Sequence, residues 1–368
     1  MSYKGRYAAP KKAVDWKKIT QIAVISVFLL ILALGVAGVS YWYSTIGKMQ
    51  QAGGLDSTLS SEDQARLESE LAINNDNAVD KTEPTDSLIE DPDQYIQKTP
   101  NIINILLVGQ DMRKGQTWKL SDSMILCTIN QEEKSLTMTS FLRDMYVKLP
   151  NYNGDGKDHK CGYNRINNCY ALGYSWNGTI GAMEMLDQCL LENFGVQVDY
   201  NVEVDFTAFE QIVDIMGGVD IELTKAEARH LNKNTNWGLK EGVNHLNGEQ
   251  ALSYARIRKI DNDFYRTNRQ RTVMNVLIEK CKSLSILELN ELLQTLLPMI
   301  TTDMDTSVIT EYALELLPLL PDLQVTSQAI PAEGTYYYAN KGTEEEPMEV
   351  IIPNLEQNRE ILKNTIGG

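Results

Sequence analysis

The chain has 368 residues, of which 43% are hydrophobic, and a formal net charge of -16 at pH 7. This hydrophobic fraction is enough for a real core, so the composition excludes a chain that is disordered throughout. The acidic balance argues against a nucleic-acid partner, because binding DNA or RNA needs a broad basic patch. The five cysteines are an odd number without zinc-like spacing, although Cys161 and Cys169 flank a loop and could pair in an oxidising compartment.

Residues 19–43 form an uncharged apolar segment that is long enough to cross a bilayer as a helix. Lysines and arginines precede it and the sequence after it turns acidic, so the positive-inside rule places residues 1–18 in the cytoplasm and the rest outside. A cleaved signal peptide is the alternative, since residues 36–38 are small, but the apolar run is longer than that of a usual signal peptide. We therefore expect a single-pass protein of the cell membrane with an extracellular domain.

Residues 44–100 are polar and acidic and are predicted to be a linker, with one short helix around 61–73. Apolar strands are predicted over 101–109, 123–130, 135–142, 200–206, 219–223 and 323–330. Helices are predicted over 178–194, 207–216, 272–284, 287–299 and 308–319, with a hairpin-like insert and a closing helix after Gly334. This order indicates an α/β domain over residues 101–368, a three-layer α-β-α arrangement with a central mixed sheet.

Two carboxylates are predicted at one edge of this sheet. Asp111 follows the first strand and Asp122 precedes the second. If these strands are neighbours, both side chains lie where open α/β folds bind ligands. Two carboxylates without a nearby His or Cys suit a hard cation such as Mg²⁺, which carboxylates and substrate phosphates usually hold together. Each Asp taken singly is better explained as the cap of a turn or helix.

Arginines are concentrated in two places of this acidic chain. Arg143 follows the third strand, next to Asp144, and the segment YARIRKIDNDFYRTNRQR over residues 254–271 holds five more. Arg256 and Arg258 are two residues apart and share a face if the backbone is extended. Arg266, Arg269 and Arg271 lie in a stretch that can start a helix, and helical spacing predicts one polar face from Arg266, Arg269 and Gln270. Guanidinium groups grip phosphate oxygens, so the segment is either an anion clamp or a solvated charged surface.

Seven blocks of the sequence, in this order, resemble the LytR-CpsA-Psr family of cell-wall enzymes. The blocks are NILLVGQDMR, LSDSMILCTIN, TSFLRDMYVKLP, RINNCYALGY, YNVEVDFTAFEQIVDIMGGVDIEL, LNGEQALSYARIR and DNDFYRTNRQR. Together they cover about residues 101–284. Each block alone is a weak match, whereas seven in the right order behind one N-terminal anchor are specific.

The resemblance implies a metal-dependent phosphotransferase that moves a glycopolymer, such as a teichoic acid or capsular polysaccharide, from an undecaprenyl-pyrophosphate carrier to peptidoglycan at the outer membrane face. Carried over by motif, Asp111 and Asp122 would hold Mg²⁺ or Mn²⁺. The remaining catalytic and phosphate contacts would come from Arg143, Arg256, Arg258, Asp263, Arg266 and Gln270. Asp111, Asp122 and Asp263 are all candidate bases, and Arg269 and Arg271 keep the interpretation as solvated surface.

Leu120 departs from the family pattern, in which an arginine often stands directly before the Ser-Asp pair. Either Lys114 or Lys119 substitutes as a point charge, or the pocket has one arginine fewer. The resemblance also implies an apolar cavity for the polyprenyl chain between sheet and helices. Ordinary core packing is the simpler explanation for each candidate lining residue, namely Phe206, Phe209, Ile212 and residues 273–278.

Two other functions are compatible with these residues. The first is a polyprenyl-pyrophosphate pyrophosphatase, which would use the same metal and arginines with water as the acceptor. The second is a membrane-anchored regulatory or binding protein. Analysis of the products formed from a lipid-linked donor separates transfer from phosphate release.

Overall fold

The computed structural model describes residue 41 and residues 44–52, 60–70, 84, 88–89, 91–111, 120–345 and 347–367. The chain divides into two compact units, Met1–Lys48 and Met49–Gly368. The predicted cytoplasmic N-terminus, residues 1–18, and nearly all of the predicted transmembrane helix, residues 19–43, lie outside the described residues. Within the described ranges, none of the helices combines the length and the apolar character needed to span a bilayer.

The described strands of the second unit make one large sheet and three small ones. In chain order they are β1 (Gln50–Gln51), β2 (Ile102–Asp111), β3 (Leu120–Asn130), β4 (Ser135–Phe141), β5 (Tyr146–Lys148), β6 (Tyr163–Arg165), β7 (Tyr200–Asp205), β8 (Val219–Leu223), β9 (Gly242–Leu246), β10 (Ile300–Thr302), β11 (Gln324–Ile330), β12 (Tyr336–Asn340) and β13 (Glu349–Pro353). The large sheet has the order β1-β10-β7-β2-β3-β4-β11. It contains three parallel and three antiparallel strand pairs, so the predicted central mixed sheet is confirmed.

The described helices lie between these strands in the sequence or after the last of them. They are α1 (Ser61–Glu70), α2 (Asn168–Phe194), α3 (Phe206–Ile215), α4 (Lys225–Asn232), α5 (Gly248–Ala255), α6 (Asp263–Lys282), α7 (Ile286–Leu296), α8 (Thr306–Leu316) and α9 (Leu355–Ile366). The hairpin β12–β13 and the closing helix α9 confirm the interpretation of the tail after Gly334.

Helices pack on both faces of the sheet. Leu106 and Val108 of β2 belong to a core that includes the buried residues of α2 and α9. Ile105 and Leu107 alternate with them along the strand and face a second cluster, which includes Met274 of α6. The alternation of β2 therefore divides the interior into two layers, one on each side of the sheet.

Parts of the predicted linker are bound to this unit. β1 pairs in parallel with β10 at the sheet edge. The amide of Ile89 donates a hydrogen bond to the carbonyl of Glu192 at 3.0 Å. Leu67 of α1 is fully buried. β1 and Ile89 of the predicted linker thus form backbone hydrogen bonds within the second unit.

A β-bulge lies between the first two strands of the domain. Gly109 pairs with Ser123 and Gln110 pairs with Ser121, so Asp122 is an extra residue on β3 with no partner on β2. A bulge bends the strand and changes the direction of the side chain at that position. Asp122 therefore lies within β3, and not before it as predicted.

Helix α2 is longer than predicted and is broken in its middle. Asn177 and Gly178 leave helical geometry, and Gly178 has a φ of 61° that favours glycine. A Cβ atom on Gly173 would lie 2.1 Å from the carbonyl oxygen of Gly181, so the two limbs can only be this close at glycine. The prediction began at Gly178 because the first limb is buried on nearly all sides and shows no amphipathic period.

Two helices and a strand between residues 225 and 271 were missed, because the sequence there is polar. Helices α4 and α5 and strand β9 were not predicted, and α6 begins at Asp263 and not at residue 272. The side chain of Asn262 caps α6 by accepting a hydrogen bond from the amide of Phe264 at 3.1 Å. The first turns of α6 bury polar side chains, which removes the apolar stripe that helix prediction needs.

Arg269 and Arg271 are buried, so their interpretation as solvated surface is wrong. Arg269 is 4% exposed, and its Nε atom donates to Glu227 Oε1 at 2.7 Å. The same guanidinium donates to both carboxylate oxygens of Asp261 and to the carbonyl of Ile257. These hydrogen bonds of Arg269 join α6 to α4 and to the preceding loop.

The cysteines do not form disulfides. Cys161 and Cys169 are both buried in the core. The pairing considered from their positions around a loop is therefore absent from the structure.

Asp187 links α2 to strand β7 through a hydrogen bond with Asn201. Asn201 Nδ2 donates to Asp187 Oδ2 at 2.8 Å and to Asp303 Oδ2 at 3.0 Å. Burial raises the pKa of Asp187 to about 7, and repulsion from Asp303 and Glu184 adds to the rise. The folded protein therefore binds this proton more tightly than the unfolded chain does, and it loses stability as the pH rises to about 7.

We expect Asp187→Asn to stabilise the protein at alkaline pH. Asparagine has no charge to desolvate, so the free energy of unfolding should exceed that of the wild type by about 1–4 kcal/mol at pH 8 and by much less at pH 4. Urea unfolding at both pH values measures the difference. An equal gain at the two pH values would contradict the assigned titration.

Replacing Arg269 by methionine should lower the free energy of unfolding by about 3–5 kcal/mol, because it leaves the carboxylates of Glu227 and Asp261 unpaired. Urea denaturation measures the loss, and Arg229→Ala is the control, since Arg229 is exposed on α4. If Arg269→Met lowers the free energy of unfolding no more than the control does, the ion pairs of Arg269 do not stabilise the fold.

Candidate active site

Three of the predicted site residues, Asp122, Arg143 and Arg258, meet at the edge where β2 ends and β3 begins. Asp122 lies in the bulge of β3 and is 8% exposed. Arg143 follows the end of β4, and its Nη1 atom donates to Asp122 Oδ1. Arg258 lies just beyond α5, and its Nη2 atom donates to the same oxygen at 3.1 Å. Two arginines that are far apart in the sequence thus share one carboxylate oxygen.

These contacts determine the ionisation of Asp122. Burial alone would raise the pKa of Asp122, but the positive charges of Arg143 and Arg258 outweigh burial and lower it. Arg266 contributes in the same direction. The carboxylate is therefore held as an anion, and it is a poor acceptor for a proton near neutral pH.

A second carboxylate, Asp263, lies in the first turn of α6. Its Oδ1 atom is 2.8 Å from Arg266 Nη2 and 3.8 Å from Arg143 Nε. Burial raises the pKa of Asp263, and the charge of Asp144 adds to this, so that the arginines offset the rise only in part. Its Oδ2 atom is buried and accepts no hydrogen bond from any described residue.

Arg266 is the most deeply buried member of the site. It is 1% exposed, and in the described chain its Nε, Nη1 and Nη2 atoms make no hydrogen bond. The approach of Nη2 to Asp263 is an ion pair without hydrogen-bond geometry. Burial lowers the pKa of Arg266 to about 10, with Arg143 and Arg258 adding repulsion. Arg143 Nε is likewise buried without an acceptor.

Buried donors without acceptors are rare in proteins, and each of them costs free energy. The described ion pairs of the cluster join four arginines, Arg143, Arg165, Arg258 and Arg266, to three carboxylates, Asp122, Asp144 and Asp263. A net positive charge and unused N–H groups therefore converge at one point. This is the chemistry of an anion site, and guanidinium forks fit phosphate oxygens best.

Arg256 contacts helix α3. Arg256 closes α5 with a φ of -101° and a ψ of 1°, so the extended backbone expected there is wrong. Its guanidinium carbon lies 4.3 Å from the centre of the Phe206 ring, a cation–π contact. Gln270 lies nearer to the site, because its Oε1 atom accepts from Ser123 Oγ, next to Asp122, at 3.2 Å. A role for Arg256 in binding phosphate stays a prediction from its motif.

The predicted metal ligands are described only in part. β2 and β3 are antiparallel neighbours, and Asp111 pairs with Leu120 through the backbone, which puts it at the same edge as Asp122. The side chain of Asp111 lies outside the described residues, as do Lys114 and Lys119. Among the described side chains, no three His, Cys, Asp or Glu residues form a metal-binding group.

The donor set agrees with a cation that is held mainly by its substrate. Both arginine contacts of Asp122 use Oδ1, and none of the described residues donates to Oδ2. One carboxylate oxygen here, with Asp111 at the same edge, suits Mg²⁺, which is usually bound by one or two carboxylates and phosphates.

Arg165 also lies near the site, although it was not among the predicted site residues. Its Nε atom is 3.6 Å from Asp144 Oδ1, and Asp144 in turn lies 3.5 Å from Arg143 Nε. Arg165 thus fixes Asp144 beside the site from the end of β6. The signal was available in the block RINNCYALGY, which begins at this residue.

Known proteins are similar to this chain over most of its length. The LytR_cpsA_psr family model matches residues 64–352. The polyisoprenyl-teichoic acid–peptidoglycan teichoic acid transferase TagT of Bacillus subtilis (strain 168) is 30% identical over 249 residues, which are 64% of this chain and 71% of that protein. Regulatory protein MsrR of Staphylococcus aureus (strain COL) is 28% identical over 271 residues, 73% of this chain and 75% of MsrR.

Solved structures share the fold. TagT bound to LIIa-WTA superposes with a TM-score of 0.56 at 26% identity, covering 77% of this chain and 95% of that one. The structure of YwtF (TagT) with bound octaprenyl pyrophosphate lipid gives a TM-score of 0.52 at 25% identity and covers 76% and 97%. The family model spans more than half of the sequence, and the chain therefore belongs to the LytR_cpsA_psr family.

Proposed function

We propose that this protein is a phosphotransferase that moves a glycopolymer from an undecaprenyl-pyrophosphate carrier to peptidoglycan, at the outer face of the cell membrane. The observation that carries the proposal is Arg266, a buried guanidinium whose N–H groups have no acceptor among the described residues. A pyrophosphate would supply those acceptors. The names of TagT and of its octaprenyl pyrophosphate complex support the choice of ligand.

The arginines fit the demands of the reaction. The acceptor hydroxyl attacks the phosphorus on the glycan side of the pyrophosphate, and the lipid phosphate leaves. Negative charge grows on the departing oxygens, and fixed positive groups stabilise it. A hydrogen bond to a charged group contributes about 1.5–3 kcal/mol, so three arginines supply several kcal/mol in the transition state.

Asp263 is a better candidate for the base than Asp122. The pKa of Asp122 is lowered by its arginines, whereas burial raises the pKa of Asp263, and Asp263 Oδ2 has no donor within the described chain. A carboxylate with a raised pKa is the better proton acceptor at neutral pH. We therefore assign the proton of the acceptor hydroxyl to Asp263 Oδ2.

An apolar layer next to the arginines fits the polyprenyl chain. Ile105 and Leu107 of β2 are only partly buried and face Met274 and Ile278 of α6. Val273, another candidate, is fully buried in a separate core, so ordinary packing accounts for it. The lipid would lie between the second face of the sheet and α6, with its phosphates at the arginine cluster.

Asp111 and Asp122 would hold Mg²⁺ or Mn²⁺ in this proposal. A bound divalent cation would neutralise part of the pyrophosphate charge. The protein's own contribution is to keep Asp122 ionised and in place, which Arg143 and Arg258 accomplish.

Arg143→Ala and Arg258→Ala should each reduce transfer about ten- to a hundredfold, because each removes a charged hydrogen-bond donor from the phosphate site. The assay follows labelled glycan from a lipid-linked donor onto a peptidoglycan oligomer, and it also measures released phosphate. Arg229→Ala is the control, because this arginine is exposed on α4. Near-normal turnover in both site variants would refute the phosphate clamp, and phosphate release without labelled oligomer would favour a pyrophosphatase.

Metal removal should stop transfer, and Mg²⁺ or Mn²⁺ should restore it. A second readout is thermal stability: Mg²⁺ together with pyrophosphate should raise the Tm of the wild type, since ligands that bind the folded state stabilise it. Asp111→Asn should lose most of this rise without a change in its own Tm. Full turnover in excess chelator would contradict the metal assignment.

A further inference from the structure

Three aromatic side chains extend away from the arginine cluster, and the proposed transfer does not yet use them. Phe264 directly follows Asp263 at the start of α6. The Tyr336 ring stacks on it, with 4.8 Å between ring centres and an angle of 26°. The Tyr338 ring meets Tyr336 edge-on, with a centre distance of 5.6 Å. We call Phe264, Tyr336 and Tyr338 the aromatic strip.

The strip is rigid at one end and open at the other. Phe264 and Tyr336 pack against the main core, whereas Tyr338 is 49% exposed. Tyr337 is 53% exposed but lies on the opposite face of β12, because side chains alternate along a strand. The strip therefore has one solvent-facing ring supported by two packed ones.

The hairpin that carries the strip is fixed to the site. The amide of Ile351 on β13 donates to the carbonyl of Asp144 at 3.0 Å. Arg165 Nη2 donates to the carbonyl of Glu349 at 2.7 Å. Partial burial raises the pKa of the Tyr338 hydroxyl, and Tyr336, Glu349 and Asp263 add to the rise in that order.

The two sides of the reaction centre then differ in chemistry. The apolar layer of Ile105, Leu107 and Met274 lies on the second face of the sheet, and the strip packs against the core of the first face. In phosphoryl transfer the attacking and leaving oxygens lie roughly in line, on opposite sides of the phosphorus. If the lipid phosphate leaves toward the apolar layer, the acceptor enters from the side of Asp263 and the strip.

A half-exposed tyrosine supported by stacked rings fits a sugar. One face of a pyranose ring carries C–H groups that pack on an aromatic ring, while its hydroxyls reach polar atoms at the edge. A rigid ring offers this contact at little cost in conformational entropy. An acidic or basic peptide would instead need an opposite charge along the strip, which aromatic side chains do not provide.

We propose that the aromatic strip binds a sugar ring of the acceptor glycan, stacked on Tyr338 with its reacting hydroxyl directed to Asp263 Oδ2. This assignment rests on the proposed transferase function, since it takes the acceptor side of that reaction as its subject. It makes Tyr338 an acceptor-binding residue that has no contact with the lipid carrier.

The test compares Tyr338→Ala with Tyr337→Ala, which removes an equally exposed tyrosine from the other face of the same strand. We expect Tyr338→Ala to raise the acceptor KM about tenfold, the loss of roughly one good contact. The donor KM and the Tm should not change, and Tyr337→Ala should match the wild type in all three. Tyr338→Phe keeps the ring and should retain most of the acceptor affinity.

Calorimetric titration with a peptide-free peptidoglycan oligosaccharide, without donor, measures the same surface independently of catalysis. Wild type and Tyr337→Ala should bind it, and Tyr338→Ala should bind about tenfold more weakly. Equal values for the two alanine variants, or no binding by the wild type, would overturn the proposal, as would a rise in donor KM in place of acceptor KM.

The two proposals fail in different ways. Normal transfer by a Tyr338→Ala enzyme would remove the strip from the acceptor site and leave the transferase function intact. Absence of transfer by the wild type would refute the function, and the oligosaccharide titration would then decide the strip alone.

Discussion

Repulsion among three arginines is the constraint around which the site is built. Arg143 and Arg258 converge on one oxygen of Asp122, while Arg266 is enclosed beside Asp263. Like charges in a poorly solvated place oppose folding, so rigid elements must hold them together. The turn after β4, the chain beyond α5 and the first turns of α6 each bring one guanidinium from a different direction. Without a bound anion, the charges of the described residues in the cluster do not cancel.

Helix α6 shows how partners decide the role of a buried charge. Arg266 and Arg269 are three residues apart on the same helix, and both are almost fully buried. Arg269 has its donors matched by Glu227, Asp261 and a backbone carbonyl, so it is a structural joint. Arg266 has no matching acceptors in the described chain and is left available for a ligand. Residue type and burial alone would not have distinguished them.

The sequence predicted those parts of the fold in which one face of an element is apolar. Five strands of the central sheet (β2, β3, β4, β7 and β11), helix α3 and the closing hairpin and helix lie close to their expected positions, whereas the short strands β1 and β10 were not predicted. The first limb of α2 failed because it is buried all round, and α6 was predicted too short because its early turns bury arginines and a threonine. For the site, strand ends correctly brought Asp122 and Arg143 together, since antiparallel neighbours share an edge. The non-extended backbone at Arg256 follows from the end of α5, which no pattern in that polar stretch revealed.

The bulge at Asp122 has a consequence for how this edge of the sheet can vary. Strand pairing reverses its inward and outward faces whenever one residue is gained or lost. Because β3 carries its extra residue at Asp122, the residues on either side of that point belong to two registers that are joined there. Deleting one residue on the Leu120 side of the bulge would therefore reverse the faces of the strand's first residues and leave the register of the rest of β3 unchanged.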